Sequence, residues 1–190
     1  MDATFAITGK DFVLFASDSS VRISIKKMKL NQRKTIELDD NKMIAWNGKP
    51  SDALNFADFV SRSHFLYTIR NGFPMSVKAS AHFIRNELAR AVRKSPVETN
   101  IMIGGVDESG SSLYYLDYMG SINKLNVAAH GYCAFFVTSI LDRSWKEDLE
   151  REEALEMAKR CVEELGQRFT LSLDNFEFCF VTKDGAQRIE

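Results

Sequence analysis

Thr4-Phe5-Ala6-Ile7 followed by Phe12-Val13-Leu14-Phe15-Ala16-Ser17-Asp18 is the stretch that decides the fold. Both runs are mostly apolar, and Thr8-Gly9-Lys10-Asp11 between them has the composition of a tight turn. Two apolar runs joined by a short segment with glycine predict a β-hairpin. We therefore expect the chain to begin with two paired strands, at residues 3–8 and 12–18.

The rest of the chain alternates between groups of strands and groups of helices. Residues 21–30 are expected to be extended and half exposed, and Ile101-Met102-Ile103 to form a central strand buried on both faces. Helices are expected from a Ser51 cap to Gly72, from Met75-Ser76 to just before Pro96, after Gly131 to about Leu141, and from about Glu150 to Phe169. Further strands are expected at 34–38, 42–47, 100–106, 112–118, 127–129, 175–182 and 186–189.

Segregated groups of strands and helices are typical of an α+β fold, since a parallel sheet requires a repeating βαβ order. Two sheets with helix layers outside them would bury every apolar stripe. We expect one domain over residues 1–190, because the chain contains no linker, internal repeat or low-complexity tract.

Composition narrows the classes of partner. The net charge is −1, hydrophobic residues make up 45% and charged residues 27%, so neither nucleic acid nor an anionic membrane is expected as a partner. Cys133, Cys161 and Cys179 are odd in number and widely spaced, which favours buried, reduced thiols in an intracellular protein. We predict no metal site and no cofactor. Some of the 14 phenylalanines are expected on a surface that another chain covers.

Several segments together resemble the beta subunits of the proteasome core, whose fold is the αββα sandwich of N-terminal-nucleophile hydrolases. The chain is most similar to the non-catalytic members at position four of the beta ring, and the resemblance covers nearly the whole chain. The segments that carry it are Phe12 to Asp18, Lys34-Thr35-Ile36-Glu37-Leu38, Trp46-Asn47-Gly48, Ala57-Asp58-Phe59, Tyr67 to Gly72, Ile103-Gly104-Gly105-Val106-Asp107, Tyr115 to Gly120, Ala128 to Tyr132 and Ser139 to Arg143.

The resemblance implies a four-layer sandwich of two antiparallel sheets between two helix layers, and a degenerate active site. Active members attack with an N-terminal threonine whose own amine acts as base. Counting back from Asp18 without gaps places Asp2 at that position, and no Gly-Thr junction for propeptide cleavage exists in the sequence. We therefore expect no cleaved propeptide before Asp2 and no catalytic residue in this chain.

The remaining family positions are partly kept. Asp18 and Lys34 match the acid and lysine of active members, and are expected to hold each other as a structural ion pair. Gly48 matches the oxyanion-hole glycine, but a strand-to-helix turn explains it equally well. Tyr132 stands where active members have a supporting serine, Phe169 where they have an aspartate, and Ser172 fits the last serine. His130 is expected to be a structural or interface histidine.

The function implied by the resemblance is that of a non-catalytic structural subunit of the 20S core, which completes the beta ring of the complex that degrades ubiquitinated proteins. Its partners would be other alpha and beta subunits in stacked rings and unfolded peptide passing through the chamber, in cytoplasm and nucleus. Two alternatives stay open. The first is an active N-terminal threonine peptidase of the simpler ring-forming type, and the second is a free-standing α+β binding module.

Overall fold

The computed structural model describes residues 3–23, 26–168, 173 and 175–189. Within these ranges, helices and strands follow the order expected for an α+β chain. The helices are α1 (Pro50–Asn71), α2 (Val77–Val92), α3 (Ala134–Ser144) and α4 (Arg151–Arg168). The strands are β1 (Thr4–Thr8), β2 (Phe12–Asp18), β3 (Val21–Ile23), β4 (Lys26–Lys29), β5 (Thr35–Asp39), β6 (Lys42–Gly48), β7 (Thr99–Asp107), β8 (Gly110–Leu116), β9 (Ile122–Leu125), β10 (Val127–His130), β11 (Phe176–Thr182) and β12 (Gly185–Ile189).

Most of the described strands lie in two five-stranded antiparallel sheets. The first sheet has the order β10-β1-β2-β11-β12, and the second has the order β5-β6-β7-β8-β9. The predicted opening hairpin is confirmed, because Thr4 pairs with Ser17 and Thr8 with Val13. Strands β3 and β4 form a separate two-stranded hairpin.

Three apolar clusters define the layers. Phe12, Leu14 and Phe180 on the first sheet pack with residues of α3 and α4. Helices α1 and α2 cover the outer face of the second sheet, and the third cluster lies between the two sheets. The result is an αββα sandwich, which confirms the predicted α+β class.

Strand β7 is the centre of the second sheet. Ile101 and Ile103 pack against the α1–α2 side, whereas Met102 faces the first sheet. All three side chains are fully buried, as their uninterrupted apolar run predicts. Gly104 lets the sheets approach closely, because a Cβ there would lie 2.8 Å from Val13 Cγ1 and 3.0 Å from Phe15 Cζ.

Two local predictions were wrong, and one strand was missed. Ser51 does not cap α1: the helix begins at Pro50, the N-cap is Lys49, and no side chain bonds to the cap. Proline fits the first turn, where its missing N–H would have no partner in any case. Tyr118 lies beyond the end of β8. Strand β9 was not predicted, because its four residues are mostly exposed and lack an apolar alternation.

The three cysteines are buried and unpaired by disulfides, as their spacing predicts. Phenylalanine divides between the interior and the surface. Phe5, Phe12 and Phe15 are fully buried, whereas Phe65 and Phe135 are 67% and 83% exposed. Among the described helices, none is long and apolar enough to cross a membrane.

Candidate functional site

Asp18 and Lys34 form a buried ion pair at the end of β2. The Lys34 Nζ lies 3.4 Å from Asp18 Oδ2, and the two side chains are 7% and 0% exposed. The same ammonium group donates to the main-chain oxygen of Ser20 at 2.8 Å. The predicted structural pairing is therefore present, with each charge compensated inside the protein.

Ser20 belongs to this network and was missed by the sequence analysis. Its hydroxyl lies 2.8 and 2.9 Å from the two oxygens of Asp18, and its main-chain N–H donates to Asp18 Oδ1 at 3.0 Å. An aspartate that accepts from the residue two positions later is a common local turn. The Asp-x-Ser spacing was the signal that could have revealed it.

Gly48 ends β6 two residues before α1. Its φ is +144°, and a Cβ there would meet the carbonyl oxygen of Glu98 and lie 2.8 Å from Thr99 Cα. The following residue, Lys49, donates its N–H to the same Glu98 oxygen at 2.9 Å. Glycine is thus required at this strand-to-helix turn, irrespective of any oxyanion hole.

Tyr132 follows β10 at the same end of the first sheet. Strand pairing aligns His130 with Thr4, and Thr4 with Ser17, so the residues after His130 lie near the residue that precedes Thr4. Tyr132 is 54% exposed. Tyr132 is therefore an exposed aromatic residue just beyond the end of β10.

Cys133 is a thiol near this site, 3.7 Å from the main-chain oxygen of Thr4. Its thiol donates to the main-chain oxygen of His130 at 3.0 Å. Burial raises its pKa to about 12, so the reactive thiolate is scarce at neutral pH. The hydroxyls of Thr4 and Ser17 lie 3.3 Å apart in the interior. Among the described residues, the site therefore combines the buried Asp18–Lys34 pair with a thiol that stays protonated at neutral pH.

The structure brings together four of the seven family positions, namely Asp18, Lys34, Gly48 and Tyr132, at one end of the sandwich. Main-chain bonds support this arrangement, since Asp18 N–H donates to Ala3 O at 2.8 Å and Trp46 N–H donates to Lys34 O at 3.1 Å. The other three positions, Asp2, Phe169 and Ser172, lie outside the described residues. No cluster of three or more metal-binding side chains occurs in the described part of the chain.

His130 is a buried structural residue beside this site. It is 1% exposed, and its ring lies over Tyr115 with the two centroids 4.3 Å apart. Neither ring nitrogen has a hydrogen-bond partner among the described residues. Burial lowers the pKa of His130 from 6.5 to about 4, because a charged imidazolium would lose its hydration.

This pKa gives a stability prediction. Between pH 6.5 and 4 the unfolded chain binds a proton at His130 that the folded chain excludes, so acid favours unfolding. We expect His130 to account for about 2 kcal/mol of lost stability between pH 7 and pH 5. The free energy of unfolding, measured in urea at several pH values, should fall less steeply on acidification for His130→Phe than for the parent. His82→Gln, at an exposed position, is the matched control. If the unfolding free energy of all three proteins changed equally with pH, the lowered pKa assigned to His130 would be wrong.

Two antiparallel sheets between two helix pairs, with an acid–lysine pair at a sheet end, define the sandwich class that N-terminal-nucleophile hydrolases share. Within that class, the chain belongs to the proteasome subunit family, whose model matches residues 2–181.

Several relatives match along the full length. Proteasome subunit beta type-2 of Dictyostelium discoideum is 40% identical over 189 residues, covering 97% of this chain and 95% of the relative. Proteasome subunit beta type-2-A of Arabidopsis thaliana is 39% identical over 188 residues, covering 98% and 92%. Proteasome subunit beta type-4 of Saccharomyces cerevisiae is 33% identical over 193 residues, covering 100% and 98%.

Proposed function

We propose that this chain is a non-catalytic structural subunit of the 20S proteasome core, where it completes the beta ring of the complex that degrades ubiquitinated proteins. The observation that carries the proposal is full-length similarity to subunits named beta type-2 and beta type-4. The core complex is a threonine endopeptidase, and its beta subunits assemble with other subunits in stacked rings. This chain contributes its surfaces to that assembly.

The residues at the family's catalytic positions support a non-catalytic role. Asp2 occupies the place of the threonine, and a carboxylate is a far poorer nucleophile toward an amide. Lys34, which would lower the pKa of a threonine, is engaged with Asp18 and the Ser20 carbonyl. Tyr132 replaces one supporting hydroxyl, and Phe169 replaces a supporting carboxylate.

Exposed apolar side chains support a role in assembly. Phe65 and Ile69 on α1 are 67% and 63% exposed, and Phe73 just after that helix is 57% exposed. Phe135 on α3, on the opposite helix layer, is 83% exposed. Permanent interfaces cover apolar patches of this kind, and such patches make a free subunit prone to association. Unfolded peptide would pass this chain inside the assembled rings.

Native mass spectrometry of the tagged chain purified from its own cells tests the assembly role. We expect the chain in a particle with other alpha and beta subunits, with one copy in each beta ring. A small free species as the dominant form would support a free-standing binding module instead. A ring built from this chain alone, with peptidase activity, would support the threonine-peptidase alternative.

Restoring the threonine should not restore activity. We expect the Asp2→Thr variant, produced so that residue 2 is the amino-terminal residue, to hydrolyse fluorogenic peptides no faster than the matched Asp2→Ala variant. The reason is that catalytic groups act as a unit, and two supporting groups are replaced. Hydrolysis above the Asp2→Ala rate that an electrophilic inhibitor abolishes would contradict this expectation.

We also propose that residues 1–190 form a single domain and that the protein occurs in cytoplasm and nucleus. Limited proteolysis should release no stable smaller fragment. Fluorescence microscopy of the tagged chain should place it in both compartments, and its confinement to an organelle would contradict the proposed location.

A further inference from the structure

A basic segment lies immediately after the ion pair's aspartate. Residues 19–36 contain six basic side chains and no acidic one, although the whole chain has a net charge of −1. The six are Arg22, Lys26, Lys27, Lys29, Arg33 and Lys34. Lys34 is the cation that forms the buried pair with Asp18. The segment is therefore a local excess of positive charge on a nearly neutral protein.

The segment is presented on a hairpin with a firmly attached base. Strands β3 and β4 pair with each other, with Val21 opposite Lys29. At the base, Gln32 N–H donates to Ser19 O at 2.8 Å and the Ser19 hydroxyl donates to Leu30 O at 2.9 Å. Asn175 connects this base to the first sheet, since its Nδ2 donates to Leu30 O at 3.1 Å. The main chain at the base of the hairpin is thus anchored to the first sheet.

Three of the cations are exposed. Lys26, Lys29 and Arg33 lie on the surface, and within the described ranges none of them is in ion-pair contact with a carboxylate. Met28 and Leu30, which lie among them, are 54% and 52% exposed. We call the surface of these five residues the basic hairpin surface. It combines three cations that have no carboxylate partner among the described residues with two exposed apolar side chains.

We propose that the basic hairpin surface binds an extended polypeptide segment rich in Asp and Glu with apolar residues between them. Carboxylates complement the three cations, and apolar side chains of the segment would cover Met28 and Leu30. A nucleic acid fits less well, because residues 19–36 contain no aromatic side chain on which a base could stack. This binding role goes beyond ring completion and does not depend on it.

Fluorescence anisotropy with the full-length chain tests the proposal. The probe is a labelled peptide of alternating Glu and Leu, and the matched peptide has Gln in place of every Glu. We expect the Glu peptide to bind at least about tenfold more tightly, and its affinity to fall as salt is raised from about 0.05 to 0.2 M, because these exposed charges are screened. Equal affinities for the two peptides would overturn the proposal.

Two charge-reversal variants separate a local site from a general charge effect. The variant Lys26→Glu/Lys29→Glu/Arg33→Glu should bind the Glu peptide at least about tenfold more weakly than the parent does. The control Lys49→Glu/Lys94→Glu/Lys183→Glu changes three exposed lysines elsewhere by the same net charge, and should change the affinity less than about twofold. Equal weakening in both variants would overturn the local site.

A variant that keeps the charge and a nucleic-acid ligand provide two further controls. Lys26→Arg/Lys29→Arg keeps the charge and should bind as the parent does, which shows that these positions tolerate substitution when the positive charge is kept. A single-stranded oligonucleotide of equal charge should bind more weakly than the Glu peptide. Tighter binding of the oligonucleotide would overturn the proposal in favour of a nucleic-acid site.

Discussion

Lys34→Ala is expected to lower the free energy of unfolding by about 3–5 kcal/mol. The substitution leaves the Asp18 carboxylate at 0% exposure without the ammonium group 3.4 Å away. An unpaired buried charge cannot regain the hydration that it has in the unfolded chain. Urea unfolding of the full-length chain, followed by the fluorescence of Trp46 and Trp145, measures the loss.

A matched surface pair supplies the control. On α1, Arg62 Nε lies 2.9 Å from Asp58 Oδ2, but the two side chains are 80% and 55% exposed. Arg62→Ala should therefore change the unfolding free energy by less than about 1 kcal/mol. The double variant Asp18→Asn/Lys34→Met should lose less unfolding free energy than Lys34→Ala does, because it removes both charges. If Lys34→Ala lowered the unfolding free energy no more than Arg62→Ala did, the Asp18–Lys34 pair would have no structural role.

Phe12→Ala should destabilise the chain by about 3–5 kcal/mol through the cavity that it leaves. Phe12 is fully buried on β2, and its ring meets that of Phe180 edge to face with centroids 5.0 Å apart. Gly9 lies against the same ring, since a Cβ at Gly9 would meet it. The packing is thus closed on several sides, and relaxation can recover only part of the lost contact.

Phe135→Ala is the matched control for Phe12→Ala, because Phe135 is 83% exposed. In the free chain we expect its unfolding free energy to stay within about 0.5 kcal/mol of the parent. Its effect should instead fall on assembly, measured as the fraction of chain recovered in full particles. Equal losses of unfolding free energy for the two variants would contradict the assigned core.

Much of the architecture could be predicted from local patterns. Strands β2 and β7 and helix α2 lie where their apolar patterns predict them. A buried strand or helix face needs apolar residues at a regular spacing, and that spacing is visible in the sequence. Strand β9 could not be predicted in this way. Its residues are mostly exposed, and it exists because β8 offers it a free sheet edge.

The site was partly predictable for a similar reason. The resemblance placed Asp18, Lys34, Gly48 and Tyr132 at family positions, and the structure brings these four to one end of the sandwich. Ser20 was missed because the Asp-x-Ser spacing indicates only a local turn, and does not show that the hydroxyl reaches both oxygens of a buried carboxylate. The requirement for glycine at residue 48 likewise depends on the backbone of Glu98, fifty residues away.

The sequence by itself determined the residue at each catalytic position, the absence of a Gly-Thr junction within these 190 residues, and the excess of basic residues between Ser19 and Ile36. These are properties of composition and order, so they need no coordinates. Only the tertiary structure decided that Lys34 is held by both Asp18 and Ser20, that Cys133 is buried, and that Lys26, Lys29 and Arg33 are exposed. Burial and charge compensation depend on the segments that pack around each group, and those segments are distant in the chain.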